Sequence, residues 1–436
     1  MSHTIRHIVR GMRSREAQPA SGPTARGADL RTMRELNHQL VLDCVREQGP
    51  IARVEIARHT HLSRTTVSAL IDILLREGLV EEGKTQSAAP HGGRRAILVH
   101  FNATAGVVVG VDMGRSHLTM LLTDLAARVV ARSSGPFDVD QGPAVGLPWV
   151  IREVRRFLAE QGVAWDRVIG VGMGMPGPMD ARLHRPIAPP RMPGWDGVDV
   201  RSALRRELGV PVFLDNDANL GALGESRFGA GAGVADLVYV KIGTGIGGGL
   251  VMGGVLYRGS AGSAGEIGHV SVREDGPLCD CGSRGCLEAM AGARVIVEDA
   301  RRAADRASPL ATRADLDVAD VVRAAQAGDC AAAAAIQRAG EHIGVVLAGL
   351  MNVVNPSLIL LDGAVARAGD ILLDPIRRTV AARSFSVASA HTQVRVGSLG
   401  ADAIALGGVA LVIDAAFRTS ERVTMGARPA GARPWP

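Results

Sequence analysis

The sequence predicts a small, basic, mostly helical module followed by a large two-lobed α/β body. Three observations predict it. The chain has 436 residues, more than one ordinary domain needs, and 47% of them are hydrophobic, so more than one core can form. The charge is uneven: residues 1–105 hold 15 Lys+Arg against 10 Asp+Glu, which accounts for the whole net charge of +5. After residue 105, short apolar strands alternate with Gly turns and helical stretches in two successive series.

The first thirty residues lack periodicity and are rich in Arg, Pro, Ala and Gly, so they are expected to be a disordered arm. They carry no apolar run of the secretory kind. A helix is then expected with Leu36, Leu40, Val41 and Val45 on one face, ended by Gly49-Pro50. A second short helix fits Arg53 to His59, with Val54, Ile56 and Ala57 inward. Ser63 caps a third, which runs to about Glu77 with Val67, Leu70, Ile71, Leu74 and Leu75 as its buried stripe and Gly78 as its stop. "LVEEG" and "RRAILVHF" read as two strands around a polar tip (84–93), a wing.

The third helix opens with Ser63, Arg64, Thr65, Thr66 and Ser68. In a helix-turn-helix, the N-terminal end of the second motif helix enters the major groove. Small hydroxyls and a helix N-terminus suit phosphate, and Arg64 has the reach for a guanine edge. Arg94 and Arg95 in the wing are placed for backbone phosphates. The expected domain is thus an all-α winged helix-turn-helix over 31–104, with double-stranded DNA as its partner. A solvated basic tail on an interaction module is the bland alternative.

In the body, "GVVVGVDMG" and "LTMLLTDL" are strands, "PWVIREVRRFLAEQG" a helix, and "VIGVGMGMPGP" a strand entering a Gly/Pro loop. "DLVYVKIGTGIGGGLVMGGVLY" opens the second series with a similar strand–Gly turn–strand plan. Two related halves with a cleft between them is the α/β actin-like ATPase architecture, expected over 105–416. Its lobe boundary is placed near 229 and a C-terminal helix returns to the first lobe, followed by a disordered tail over 417–436. The apolar run Ile343–Val354 is too short for a bilayer and reads as a buried helix. The protein is expected to be cytoplasmic, with no membrane partner.

Glycines in Gly243–Gly249 allow backbone N–H groups to close on an anion, or a hairpin to pack tightly. "FLDNDANLGALGE" delivers Asn216 and Asp217 from a strand to a helix start, where a carboxylate could take a proton from a sugar hydroxyl or simply cap the helix. Cys279, Cys281 and Cys286 lie within eight residues, ten or more after His269. A Cys₃His set is the composition of a closed, structural zinc site, with no position left open for catalysis. Cys44 and Cys330 lie alone and read as buried thiols.

The run "IARVEIARHTHLSRTTVSALIDILLREGLVEE" with "GGRRAILV" resembles the winged helix-turn-helix of ROK-type regulators (repressor, open reading frame, kinase). "GTGIGGGLVMGGVLYRGSAGSAGEIGHV" with "CDCGSRGCLE" resembles that family's paired signatures, and the likeness spans about 106–416. The resemblance implies that Asn216 and Asp217 bind sugar, with Asp217 the base of a kinase. It implies that Glu266, His269 and Glu288 contact sugar, that His269 also binds zinc, and that Gly177 offers a backbone contact. The chain departs from the family pattern at Arg191, where an Asn is usual before Leu-Pro-Gly-Trp. It departs again in the nucleotide loops. The DxGGT-like turn reads Asp112-Met113-Gly114-Arg115-Ser116, and the adenosine-side Gly-Gly-Gly reads Asp362-Gly363-Ala364.

Sugar elements retained beside altered nucleotide elements imply a sugar-responsive regulator, a repressor of carbohydrate genes, with zinc as structural cofactor and neither ATP nor Mg²⁺. The effector is a sugar or sugar phosphate and the assembly a homodimer or homotetramer. The alternative is an ATP-dependent sugar kinase with an accessory DNA-binding domain, catalysed by Asp217.

Overall fold

The structure is a computed structural model that describes residues 30–85, 96–180, 185–187, 192–305, 308–311, 313 and 315–417. Residues 1–29 of the expected arm, 418–436 of the expected tail, most of the wing tip, and Arg94, Arg95 and Arg191 lie outside the described residues, whereas Leu30 and Phe417, expected in the arm and the tail, belong to helices.

The chain begins with α1 (Leu30–Gln48), α2 (Arg53–Thr60) and α3 (Arg64–Arg76), with β1 (Ile51–Ala52) between the first two and β2 (Val80–Thr85) and β3 (Ile97–Phe101) after the third. The strands pair antiparallel in the order β1-β3-β2. Ser63 caps α3 by accepting the Thr66 N–H at 3.1 Å. Arg53 ties the module together, reaching Asp72 of α3 at 2.8 Å and Glu82 of β2 at 2.9 Å. Strand β1 was not expected. It is two residues long, too short to carry an alternating pattern, and exists because Ile51 and Ala52 pair with Val99 and Leu98.

Three expectations about burial need correction. Leu40 and Val54 are 44% and 40% exposed, because Leu42 and Ile56 occupy the core face instead. Cys330 is exposed, because it opens its helix two residues before the packed stripe begins at Ala332; Cys44 is buried as expected.

Two five-stranded sheets follow. The first contains β4 (Val107–Met113), β5 (His117–Asp124), β6 (Val129–Pro136), β7 (Val168–Met175) and β8 (Val212–Asn216), with α4 (Pro143–Glu160), α5 (Val200–Leu208) and α6 (Asp217–Phe228). The second contains β9 (Leu237–Ile242), β10 (Ile246–Met252), β11 (Val255–Tyr257), β12 (Leu358–Asp362) and β13 (Gln393–Val396). Its helices are α7 (Leu287–Ala291), α8 (Ala293–Ala303), α9 (Val318–Gln326), α10 (Cys330–Val354), α11 (Asp370–Arg383) and α12 (Ser386–His391). The strand orders, β6-β5-β4-β7-β8 and β11-β10-β9-β12-β13, are the same plan twice. In each, three strands meander antiparallel and two more run parallel to the first. Strands β4 and β7 are buried along their whole length, which is why they read as near-continuous apolar runs.

The last helix, α13 (Ala403–Phe417), joins everything. It lies against β4, β7 and α6 at backbone contact, made possible by glycines. A Cβ on Gly110 of β4 would stand 2.1 Å from the Ala405 carbonyl oxygen, and one on Gly172 of β7 1.9 Å from that of Gly408. A Cβ on Gly407 would stand 1.9 Å from the Leu220 oxygen, and one on Gly224 2.2 Å from that of Ala403. The apolar run Gly400–Phe417 is long enough to cross a membrane by length and composition, but here it fills the core. Its far end enters the first module: Val409, Val412, Ile413 and Phe417 share one core with Val41, Leu42, Ile71 and Val99. Phe417 meets Phe101 edge-on at 5.8 Å, and the Arg46 guanidinium lies over both rings.

Such packing leaves no room for a methyl group. Gly407→Ala is expected to destabilise the protein by roughly 1–3 kcal/mol, the usual cost of overpacking. The check is a lower urea midpoint with an unchanged m-value.

Candidate functional site

In open α/β sheets, ligands gather beyond the carboxyl ends of parallel strands. Here both sheets aim those ends at one cleft of about 480 Å³. From the first sheet come Asp112 at the end of β4, the Pro176-Gly177 loop after β7, and Asn216 and Asp217 at the β8–α6 junction. From the second come Tyr239 and Lys241 of β9, the Gly243–Gly248 turn, and Asp362 at the end of β12.

The expected sugar residues converge. Asn216 is the N-cap of α6 through the Asn219 N–H, and its amide also donates to the Gly177 carbonyl at 2.9 Å. Capping and site-building are therefore one interaction. Gly177 has φ +83°, the left-handed region that glycine adopts without strain. Glu266, His269 and Glu288 line the same cleft. Burial first, then the neighbouring Asp217 and Glu288 charges, push the Glu266 carboxyl up to about 7. That end of the cleft can thus both accept and donate hydrogen bonds to hydroxyls. Glu288 also accepts the Ile246 N–H at 3.0 Å, which ties it to the Gly turn.

The glycine run proves to be largely a close-packing device. A Cβ on Gly249 would lie 2.3 Å from the Ala218 oxygen, one on Gly248 2.9 Å from that of Gly265, and one on Gly245 2.5 Å from Glu288.

At the other end, the β4–β5 turn closes on itself. The Gly114 N–H donates to the His117 carbonyl at 2.9 Å, and the His117 ring covers Gly114. His117 Nε2 lies 3.0 Å from Asp112 Oδ2. Arg115 is 3.2 Å from Asp140. Asp362 accepts the Tyr239 hydroxyl at 2.8 Å and is buried. Burial raises its carboxyl pKa, against hydrogen bonds from Gly363 and Tyr239 that lower it. Sequence reasoning missed Asp215, Tyr239, His117 and Lys241. Buried Asp215 accepts from Arg258 and Asn219 and braces the start of α6. Lys241 donates to Asp217 Oδ2 at 2.7 Å. Burial would lower the Lys241 pKa, but Asp217 and Asp112 hold it above its ordinary value. The available signal was compositional: Lys241 is one of only two lysines in the chain, and it directly precedes the Gly run.

His269, Cys279, Cys281 and Cys286 bring one ligand atom each within 4.8 Å of one another. His269 Nδ1 is 3.7 Å from Cys279 Sγ, and the Cys281 and Cys286 sulfurs are 3.6 Å apart. Edges of about 3.7 Å are what a tetrahedron with Zn–S bonds of about 2.3 Å requires, so the four fit zinc. Burial, then the neighbouring thiols, push Cys286 up to about 12. A bound cation reverses that by taking up the thiolate. Through His269 the Cys₃His cluster also lines the cleft.

In the first module, Ser63, Arg64 and Thr65 are exposed at the α3 N-terminus, with Thr66 and Ser68 half-buried behind them.

A winged helix-turn-helix that shares a core with a two-lobed, sugar-kinase-type body bearing a Cys₃His knuckle defines a specific class of two-part protein. The chain belongs to the ROK family, whose model matches residues 108–415, and a MarR family model matches residues 35–84. It is 31% identical to the xylose repressor of Bacillus subtilis over 89% of this chain and 97% of that one. It is 34% identical to a glucokinase of Halalkalibacterium halodurans, but over only 70% of this chain and 94% of the enzyme. A solved ROK family transcriptional regulator, described as a homologue of the Escherichia coli Mlc protein, superposes with a TM-score of 0.76 at 26% identity. That match covers 88% of this chain and 97% of the other.

Metal analysis of protein purified without chelator is expected to find one zinc per chain. Cys281→Ser is expected to lose the metal and to lower the melting temperature, since binding free energy of a structural metal is folding free energy.

Proposed function

We propose that the chain is a sugar-responsive, DNA-binding transcriptional repressor that takes a sugar in the interlobe cleft. One observation carries this reading. The cleft that assembles Asn216, Asp217, Glu266 and His269 is joined, through α6, α13 and a continuous core, to the module that presents Ser63, Arg64 and Thr65. The repressors and the solved regulator match along both parts, whereas the glucokinase matches along a span that fits the body. The relatives named for xylose make D-xylose the first effector to try.

In this reading Asn216, Asp217, Glu266, Glu288, His269 and the Gly177 backbone hold sugar hydroxyls. Asp217 acts as a hydrogen-bond acceptor, with no phosphoryl transfer, and zinc on His269, Cys279, Cys281 and Cys286 fixes the far wall. Ser63, Arg64, Thr65, Thr66, Ser68, Arg94 and Arg95 meet operator DNA. The DNA module comprises residues 31–104 and the sugar body 105–416, with its lobe boundary near 229. A sugar changes DNA affinity only if it binds one lobe arrangement better than the other. Helix α13 touches both the start-bearing helix α6 and the DNA module, so a change in lobe angle shifts the recognition helices. A dimer or tetramer supplies two such helices to a palindromic site, in the cytoplasm where the DNA lies.

Gel retardation on fragments upstream of sugar-utilisation genes, with a panel of monosaccharides, tests this. Retardation relieved by one sugar is the expected result, and no retardation with any fragment or sugar would sink the reading. Arg64→Ala should weaken the specific complex by roughly 1–3 kcal/mol, a base contact's worth, with its sugar-induced melting shift intact.

A further inference from the structure

The two halves of the cleft meet at Lys241. It stands at the C-terminal end of β9, in register with Asp362 on the adjacent parallel strand. Its ammonium donates to Asp217 Oδ2 at 2.7 Å, across the cleft at the start of α6. Asp217 Oδ1 accepts from the Ala218 N–H, so both carboxylate oxygens are engaged. Asp112, at the end of β4, lines the same space and is almost fully buried. His117 holds one of its oxygens, and the other, Oδ1, has no hydrogen-bond partner. Asp112, Asp217 and Asp362 all act electrostatically on the one ammonium.

Three carboxylates converging from two sheets are the oxygen ligands a hard divalent cation needs, and such a cation is what a nucleotide's phosphates bring with them. Here one ammonium, fixed on a buried strand, supplies the positive charge. A metal entering the same space would meet Lys241 at close range in a partly desolvated site, where like-charge repulsion is strong.

We propose that Lys241 is a resident cation. It stands where the three carboxylates would otherwise gather a divalent metal, so the cleft takes an uncharged sugar alone and refuses a metal–nucleotide complex. The ligand named here rests on the sugar-cleft reading above; the exclusion of metal is additional to it.

The test uses full-length, zinc-loaded protein. Wild type, Lys241→Met and Lys241→Arg are titrated with Mn²⁺, followed by loss of the free-ion paramagnetic resonance signal, and then with a fluorescent ATP analogue in the presence of Mn²⁺. Lys241→Met is expected to bind one Mn²⁺ at least about tenfold more tightly than wild type and to gain nucleotide binding. Lys241→Arg, which keeps the charge, should behave as wild type. If Lys241→Met does not fold, Lys241→Gln, which removes the charge and keeps all three carboxylates, is read the same way. Wild type binding Mn²⁺ as tightly as the Met variant, or no gain in the Met or Gln variant, would overturn the proposal. Calorimetry with D-xylose, D-glucose, D-galactose and N-acetylglucosamine on the same proteins reports separately. Heat with none of them would overturn the sugar reading, while a Mn²⁺ gain on removing Lys241 would still establish the resident cation.

Discussion

The architecture depends on how closely α13 can approach its neighbours. Its backbone touches that of β7 through Gly172 and Gly408, that of α6 through Gly224 and Gly407, and that of β4 through Gly110. Contacts of this kind are set by side chains that are absent. They admit only small adjustments, because a packed interior is stiff and interfaces of this density move between discrete arrangements, not along a continuum. The helix that carries Asp217 at its first residue is thus seated on the helix that ends, at Phe417, in the core of the winged module. Glu225, fully buried on α6, reinforces the seat by accepting the N–H groups of Leu399 and Ala230, each at 2.7 Å.

On that spine the cleft divides into two ends of different chemistry. One end gathers the carboxylates of Asp217, Glu266 and Glu288, the Asn216 amide and the His269 imidazole, and the Cys₃His knuckle forms part of its wall. The other end is occupied by the molecule's own groups: the His117 ring over Gly114, Arg115 beside Asp140, and the Tyr239 hydroxyl on Asp362. The two alterations legible in the sequence, Arg115 and Asp362, are therefore part of a larger set of internal contacts at that end.

Much of this was readable without coordinates, for identifiable reasons. The three helices of the first module announce themselves by apolar spacing and by Ser63 as a cap. The Cys₃His set is legible because its spacing is local. The Asn216-Asp217 pair is legible because it sits where a strand becomes a helix. What escaped notice was non-local. Strand β1 exists only through pairing with a strand some fifty residues on. Leu40 and Val54 face outward because β3 and α13, distant in sequence, cover the other side of the bundle. The tight packing of the Gly248 and Gly249 positions is set by Gly265 and by Ala218 of α6, which are distant in sequence. Lys241 carries no motif, and its importance appears only when Asp217 is brought to it.

The repeated strand plan has a further consequence. The hairpin Asp112-Met113-Gly114 that opens the first sheet and the hairpin Lys241-Ile242-Gly243 that opens the second occupy matching places in the two halves. An approximate internal symmetry would put like groups at matching places, face to face across the cleft. This chain places an acid at that point in one half and a base in the other. The base reaches Asp217 of the first half, so the two halves attract across the cleft where matching acids would repel.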